Sequence, residues 1–446
     1  MAGSVRSNYP NGRKSGDKVR HLQRRLWAAA KQSPERRFHA LYDRIYRSDV
    51  LEEAWRRVRA NRGAAGIDKQ TLAEVEAYGV GRLLTELAGV LRAGGYRPAP
   101  VRRHDIPKPD GGRRLLGIPT VRDRVVQAAA KLVIEPVFEA DFLPVSYGFR
   151  PRRSATDALE AIRVAFPRGH RFVVEFDIRD FFGSIDHDRL IELVGRRVSD
   201  RRVLKLVRQW LEAGTIFEGE FSETVTGTPQ GGVISPLLAN IFLHAFDQVW
   251  VEDGGGGLLV RYADDAVVLT KTRLEAEAAL VKIEQILAGM GLEPHPDKTR
   301  IVDLTEGREG FDFLGCHFHA RMSGRLWENG VRRYYLHRWP SARSMKRIRH
   351  RVKALTGRNR AHVDIREVIS DLNPVLRGWG NYFRTGNAAQ KFNQVDRYVV
   401  RRLQRLLVKR YGRNLHAGRA DAWTRDWFEA HDLYRLRGTV RYPGAA

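Results

Sequence analysis

Cysteine is almost absent from this sequence: Cys316 is the only one in 446 residues. That excludes a disulfide-stapled secreted scaffold and every zinc site built from cysteine pairs. Long apolar runs are missing too. None approaches the roughly 18–20 residues of a membrane span, so no membrane partner is expected. Met1 to Gly16 is polar and basic, without the apolar stretch of a signal peptide. Acidic residues are scarce: 52 Asp and Glu face 78 Lys and Arg, for a formal charge of +26. With 43% apolar residues the chain can still bury a large core, which excludes a mostly disordered tail. These features describe a multidomain protein of a reducing compartment, and its charge calls for a polyanion, best supplied by nucleic acid.

The excess charge is unevenly placed. Residues 1–33 carry +7 and residues 321–446 carry +20, whereas 34–320 sum to −1. A genome-wide preference for arginine would have raised the middle as well. The pattern therefore reads as a nearly neutral catalytic body between two basic clamps for a phosphate backbone.

Apolar spacing predicts helices over 34–60, 71–92, 120–138, 187–198, 200–213, 235–250 and 273–289. A hairpin is expected over 96–119, connected by Pro107 to Gly112, and short strands at 172–176, 299–304 and 311–318. Beyond 320 the pattern turns helical. Met345, Ile348, Val352 and Leu355 make an apolar face, while Arg343, Arg347 and Arg351 form a basic stripe at i, i+4, i+8. A further helix is expected to open at Asp364 and to be interrupted by Pro374, and another to run over 388–411. Helix–strand alternation of this kind indicates a sheet layer covered by helices.

Leu258 to Leu269 places Asp264 and Asp265 between two apolar strands, hence at a hairpin turn. Asp177 ends a third apolar strand, Phe172 to Phe176. Carboxylates beside a hydrophobic sheet are costly unless a cation or hydrogen bonds compensate. If the strands share one sheet, three carboxylates converge at its edge. Such a set suits two hard divalent cations about 3.5–4 Å apart that activate a 3′-hydroxyl and steady pyrophosphate. Mg²⁺ is favoured by all-oxygen ligands, with Mn²⁺ able to substitute.

At this point the motifs become specific. Tyr262-Ala263-Asp264-Asp265 resembles the YxDD signature of reverse transcriptases, in the form typical of group II intron-encoded enzymes. Asn61 to Asp68, Ile106 to Arg114, Ser146 to Pro151, Thr228 to Gly232 and Phe313 to Gly315 are similar to that family's ordered blocks. Leu372-Asn373-Pro374 and Gly378 to Phe383 look like its maturase, or X, domain. The resemblance covers about residues 36–446. It implies an α+β right-hand polymerase, with fingers, a palm built on an antiparallel sheet, an α-helical thumb and a small basic C-terminal module. The expected divisions are a basic extension 1–33, fingers 34–170, palm 171–320, thumb or X domain 321–411 and a DNA-binding-like module 412–446.

By this resemblance Asp177, Asp264, Asp265 and the backbone at Ile178 hold the two metal ions. Phe182 lies where the family has its steric gate, beside Phe181; a ring beneath the sugar leaves no room for a 2′-hydroxyl. Lys108 and Arg114 match cations that grip the incoming triphosphate. Gln230 matches a residue lining the nascent pair, and Lys298 is placed near the leaving phosphates. Arg343, Arg347, Arg351 and Lys353 are expected to hold nucleic acid.

The implied partners are intron RNA, an RNA template with a DNA or RNA primer, a DNA target and dNTPs, for a monomer or weak dimer in the bacterial cytoplasm or nucleoid. No HNH-like cysteine cluster follows Cys316, so the chain resembles short forms that find a primer elsewhere. The implied activity is RNA-directed DNA synthesis joined to splicing and mobility by target-primed reverse transcription. Rivals are a free-standing relative co-opted for DNA repair or phage defence, and a splicing cofactor with an inactive polymerase. Cys316 reads as a small core residue, and His317 and His319 as poor metal candidates. Trp423, Trp427, Phe428 and Tyr434 suit either base stacking or a small core.

Overall fold

The computed structural model describes residues 15–107, 113–217, 220–222, 227, 231–324, 329–330, 332–412 and 419–442. Lys108 and Gln230 lie outside the described residues, as does the side chain of Arg114.

Eleven strands are described. They are β1 (Val101–Pro107), β2 (Arg113–Ile118), β3 (Phe172–Phe176), β4 (Thr215–Phe217), β5 (Glu220–Ser222), β6 (Leu258–Tyr262), β7 (Asp265–Thr270), β8 (Arg300–Asp303), β9 (Gly310–Phe313), β10 (Cys316–Met322) and β11 (Tyr334–Pro340). They form sheets ordered β2-β1-β4-β5, β6-β7-β3-β8 and β11-β10-β9, within a mixed α/β architecture.

The β6-β7-β3-β8 sheet separates two apolar cores. Val174, Phe176, Leu259, Ala266 and Val268 face a core built with the helices Val121–Glu139 and Ser235–Glu252. Val173, Val260, Val267, Leu269 and Val302 face the other, built with the β11-β10-β9 sheet and the C-terminal helices. Burial on both faces explains why these strands read as unbroken apolar runs rather than as alternating ones. All pairings in this sheet are antiparallel.

Several expected boundaries moved for identifiable reasons. The 71–92 helix is two helices, Leu72–Tyr78 and Val80–Arg92, hinged at Gly79 with φ +104, a conformation that favours glycine. The 34–60 helix reduces to Tyr42–Ile45 and Ser48–Ala60, because the backbone N–H groups of Leu41 and Tyr42 donate to the Asp200 carboxylate instead. Pro374 does not interrupt its helix, which runs from Ile365 to Phe383. Val368, Ile369, Leu372 and Leu376 are buried on both sides of the proline, and that packing offsets the lost hydrogen bond.

The basic N-terminal segment is not a free clamp from residue 15 onward. Ser15–Gln32 is a helix that buries Val19, Leu22, Leu26 and Ala30 in the first core. Gln23 Nε2 donates to the Leu132 carbonyl at 3.1 Å, and Lys31 Nζ to that of Ala140 at 3.0 Å. At the other end, Trp423, Phe428, Leu433 and Leu436 are buried against the C-terminal helices. Asn373 holds Asp432 and Tyr434 there, and the Asp396 carboxylate accepts the N–H groups of Leu436 and Arg437. The aromatic cluster therefore serves first as core. Cys316 is buried with its thiol pushed up to about 12, consistent with a packing role.

The densest polar feature in the interior lies under the β6–β7 turn. Arg261 is 2% exposed and its side chain meets the fully buried Asp247 through two bonds, at 2.7 and 2.5 Å. Its guanidinium also donates to Asn240 Oδ1, Ser146 Oγ and the Ala263 carbonyl. Removing one partner of such a pair strands a buried charge. Asp247→Ala should cost about 3–5 kcal/mol in chemical denaturation. A loss below about 1 kcal/mol would mean that the pair is not structurally coupled.

Candidate active site

The β3–β7 ladder runs from Phe172 opposite Thr270 to Phe176 opposite Ala266. Asp177 follows Phe176 and Asp265 precedes Ala266, so the two carboxylates leave the end of this ladder together, and the charge of Asp177 acts on Asp265. On the other side of β7, Tyr262 pairs with Asp265 across the two-residue turn Ala263-Asp264, with Ala263 at φ +57. Carboxylates from two distant places in the sequence, Asp177 and the adjacent Asp264 and Asp265, thus lie at one end of one sheet.

Their mutual repulsion is visible in the protonation of Asp265. Although its side chain reaches solvent, it sits in a cleft crowded by protein. Loss of hydration, then the charges of Asp264 and Asp177, push its carboxyl up to about 7, with Lys298 and Arg343 pulling the other way. Lys298 Nζ lies 2.5 Å from Asp177 Oδ2, so a protein cation already stands against one of the three carboxylates. Among the described residues no group of three His, Cys, Asp or Glu side chains forms a ready-made metal cage. The set is therefore an open, anionic platform that needs oxygens from a substrate to complete an ion's shell.

Asp177 is anchored by its backbone. Its carbonyl accepts from His295 N at 2.7 Å, and Ile178 pairs with Pro294. The short helix Phe181–Ser184 follows. Phe181 is 2% exposed and packs against Phe242, so it cannot touch a nucleotide directly and instead backs Phe182. Phe182 is half-buried, with its ring 5.2 Å from that of Phe181.

The second face of the site is the Ser146–Arg150 segment. Tyr147 N donates to the Arg261 carbonyl at 2.8 Å, and Arg261 N to that of Val145 at 2.9 Å, so this segment extends the β6 edge. A Cβ on Gly148 would lie 2.4 Å from Ala263 N. Only glycine lets the two backbones approach so closely. Asn240 Nδ2 donates to the Gly148 carbonyl, which ties both segments to the helix Ser235–Glu252.

Sequence reasoning did not single out Arg261, Asp247 or Asn240 as parts of the site. A signal was present, since Asn240 and Asp247 are polar residues seven apart, hence on one face, in a largely apolar helix.

Arg343, Arg347 and Arg351 are exposed along the helix Ala342–Leu355. Arg343 lies near enough to act on Asp265, so the stripe starts beside the catalytic turn and extends about 12 Å along the helix. Lys353 is on another face. With Arg358, Arg401, Arg405 and Lys409 it lines a cleft of about 560 Å³ against the helix Ala389–Tyr411. His317 Nδ1 is 2.7 Å from Asp312, which gives that histidine a partner without a metal.

The raised carboxyl of Asp265 fixes a sign for stability. A raised folded pKa contributes stability at low pH, and the contribution is lost as pH rises through about 7. In metal-free protein, Asp265→Asn should leave the melting temperature nearly unchanged at about pH 3, below the ordinary carboxylate value, and raise it at about pH 8. An equal difference at both values would show that Asp265 is not crowded by its neighbours.

Comparison with known proteins agrees with this geometry. The family "Reverse transcriptase (RNA-dependent DNA polymerase)" matches residues 106–318, and "Group II intron, maturase-specific domain" matches residues 345–425. Protein YkfC of Escherichia coli is 35% identical over 357 residues, covering 70% of this chain and 91% of its own length. The group II intron-encoded protein LtrA of Lactococcus lactis is 38% identical over 214 residues, covering 47% of this chain and 35% of LtrA. A putative COX1/OXI3 intron 1 protein of Saccharomyces cerevisiae is 33% identical over 208 residues, 46% of this chain and 24% of its own. The alignments thus span about a third or less of these two intron proteins. The three carboxylates lie inside the first matched region, and the second takes in Arg347, Arg351 and Lys353 but begins after Arg343. The chain belongs to the group II intron-encoded reverse transcriptase and maturase family, and its enzyme class is RNA-directed DNA polymerase.

Proposed function

We propose that this chain copies RNA into DNA at the Asp177–Asp264–Asp265 edge and that its arginine-rich C-terminal part grips structured intron RNA. The observation that supports the reading is the β3–β7 register, which ends at Phe176 opposite Ala266 and so brings Asp177 and Asp265 to the same end of the sheet as the Ala263-Asp264 turn. The fold supports a right-hand arrangement, with fingers over 34–170, palm over 171–320 and a helical thumb or X domain over 321–411. The basic N-terminal extension over 1–33 joins the body through the Ser15–Gln32 helix, and of the small C-terminal module over 412–446, Trp423, Phe428, Leu433 and Leu436 pack with the C-terminal helices.

Two Mg²⁺ ions, replaceable by Mn²⁺, fit this platform because all its donors are oxygens and its net charge is negative. Bound there, they supply Lewis acidity toward the primer 3′-hydroxyl and the leaving pyrophosphate. Asp177, Asp264, Asp265 and the Ile178 carbonyl are the residues that would hold them. The Lys298 ammonium, 2.5 Å from Asp177 Oδ2, holds that carboxylate in place until then. Phe182 lies beneath the sugar of the incoming dNTP and excludes a 2′-hydroxyl, with Phe181 fixing its ring. Lys108 and Arg114 grip the triphosphate and Gln230 borders the nascent pair. The primer is DNA or RNA, the template RNA, and the target of mobility DNA. By binding the intron that encodes it, the protein assists splicing and then copies the intron at its target by target-primed reverse transcription.

Two outcomes follow. Asp264→Ala with Asp265→Ala should lower primer extension on an RNA template by at least about a thousandfold, since alanine cannot hold an ion. Full activity would exclude the assignment. The basic stripe is tested away from Arg343, whose charge reaches Asp265. Replacing Arg347 and Arg351 with Gln removes up to two phosphate contacts. It should flatten the slope of log affinity for intron RNA against log salt by about 1.5, with single-nucleotide addition on a saturating template retained. An unaltered slope would place the RNA grip elsewhere.

A further inference from the structure

The turn that carries Phe182 has little to hold it by itself. Phe181–Ser184 is one turn of helix, and its N-cap, Asp180, sits at φ +39 without a side-chain cap bond. A single turn is far below the length that is stable alone, so what packs against it sets its shape. Phe181 supplies one support by packing into the first core. Gly227, distant in sequence, supplies another. A Cβ there would stand 2.6 Å from the Phe182 carbonyl oxygen and 2.8 Å from Gly183 Cα, so the two backbones are in direct contact. Gly227 also has φ +85, a conformation that favours glycine.

Gly227 is itself gripped at both of its polar groups. Its N–H donates to the Ile185 carbonyl at 2.9 Å. Its carbonyl lies 2.5 Å from Nε2 of His187, the first residue of the helix His187–Gly195. A carbonyl can only accept, so Nε2 carries the proton of that bond. His187 is 7% exposed, and an imidazole buried to that extent is costly unless it is bonded. Helix capping does not account for it, because Asp186 caps that helix by accepting from Arg189 N. The chain from Phe182 to His187 thus wraps around one buried glycine, and that glycine bears on the Phe182 backbone.

We propose that His187 is a positioning residue for sugar selection: through Gly227 it fixes the Phe182 backbone, and with it the place of the ring under the 2′ position. The inference rests on the reading of Phe182 as the group that excludes a 2′-hydroxyl, and it names what keeps that ring in place. Exclusion by contact fails once the wall retreats by a fraction of an ångström, so the support matters as much as the ring. Without His187 the Gly227 carbonyl becomes a buried acceptor lacking its partner, and the segment gives way to satisfy it.

The measurement is the ratio of kcat/KM for a dNTP to that for the matching rNTP, in single-nucleotide addition on a primed RNA template. His187→Ala should lower this ratio about 3- to 10-fold, the worth of one buried hydrogen bond, chiefly by raising kcat/KM for the rNTP. His187→Gln, whose amide can donate in place of Nε2, should restore most of it. Gly227→Ala drives a Cβ into the Phe182 carbonyl with His187 intact and should lower the ratio independently. In a Phe182→Ala background, His187→Ala should shift the ratio by less than about twofold, since the ring it positions is gone. An unchanged ratio in His187→Ala, with a lower melting temperature or an equal loss of kcat for both substrates, would overturn the proposal. So would a glutamine variant no better than alanine, or a full further loss without the Phe182 ring. An unchanged ratio in Phe182→Ala itself would overturn the reading of that ring, and this inference with it, which separates the two failures.

Discussion

A guanidinium with almost no access to water holds the Ala263-Asp264 turn in place. Arg261 lies on β6 at the edge of the β6-β7-β3-β8 sheet, one residue before Tyr262 and 2% exposed, where a charge would be prohibitive without the carboxylate of Asp247. Because its remaining N–H groups reach Asn240, Ser146 and Ala263, one side chain binds a helix, a loop and the turn together. The two segments that border the turn are thus fixed relative to the helix Ser235–Glu252. Buried polar networks of this type rigidify a core when every member is satisfied. Here the rigidity falls where three carboxylates must be kept close against their own repulsion.

That repulsion and the buried pair are two sides of one arrangement. Crowding drives Asp265 up to about 7, so the site favours any cation that enters it. Lys298 and Arg343 supply partial compensation from opposite parts of the chain, one after the helix Arg273–Gly289 and one at the start of the helix Ala342–Leu355. Arg343 also opens the exposed basic stripe. The same helix therefore links the electrostatics of the catalytic edge to the surface on which a long polyanion can lie.

Much of the site was legible because apolar strands dictate register. Two apolar runs that lead into aspartates and a third that starts from one leave few ways to pair, and the antiparallel ladder delivers the three carboxylates to one end. The charge imbalance between body and C-terminal helices was equally direct. Other features were hidden by competing signals. The helix Ser15–Gln32 carries its apolar residues at Val19, Leu22, Leu26 and Ala30, but the surrounding basic residues make it resemble a solvated extension. Arg261 in a strand reads as a surface residue until its partner is known, and that partner lies fourteen residues earlier on a different element. Pro374 reads as a helix breaker because sequence shows the lost hydrogen bond and not the packing on either side of it.

The account centres on Asp177, Asp264 and Asp265 as joint ligands of catalytic ions. The most direct measurement is the anomalous diffraction of Mn²⁺ in crystals of the protein with an RNA template, a primer ending in a dideoxynucleotide and a matching dNTP. The account predicts two peaks about 3.5–4 Å apart, bounded by these three carboxylates. No peak there, or ions bound only elsewhere on the chain, would contradict it.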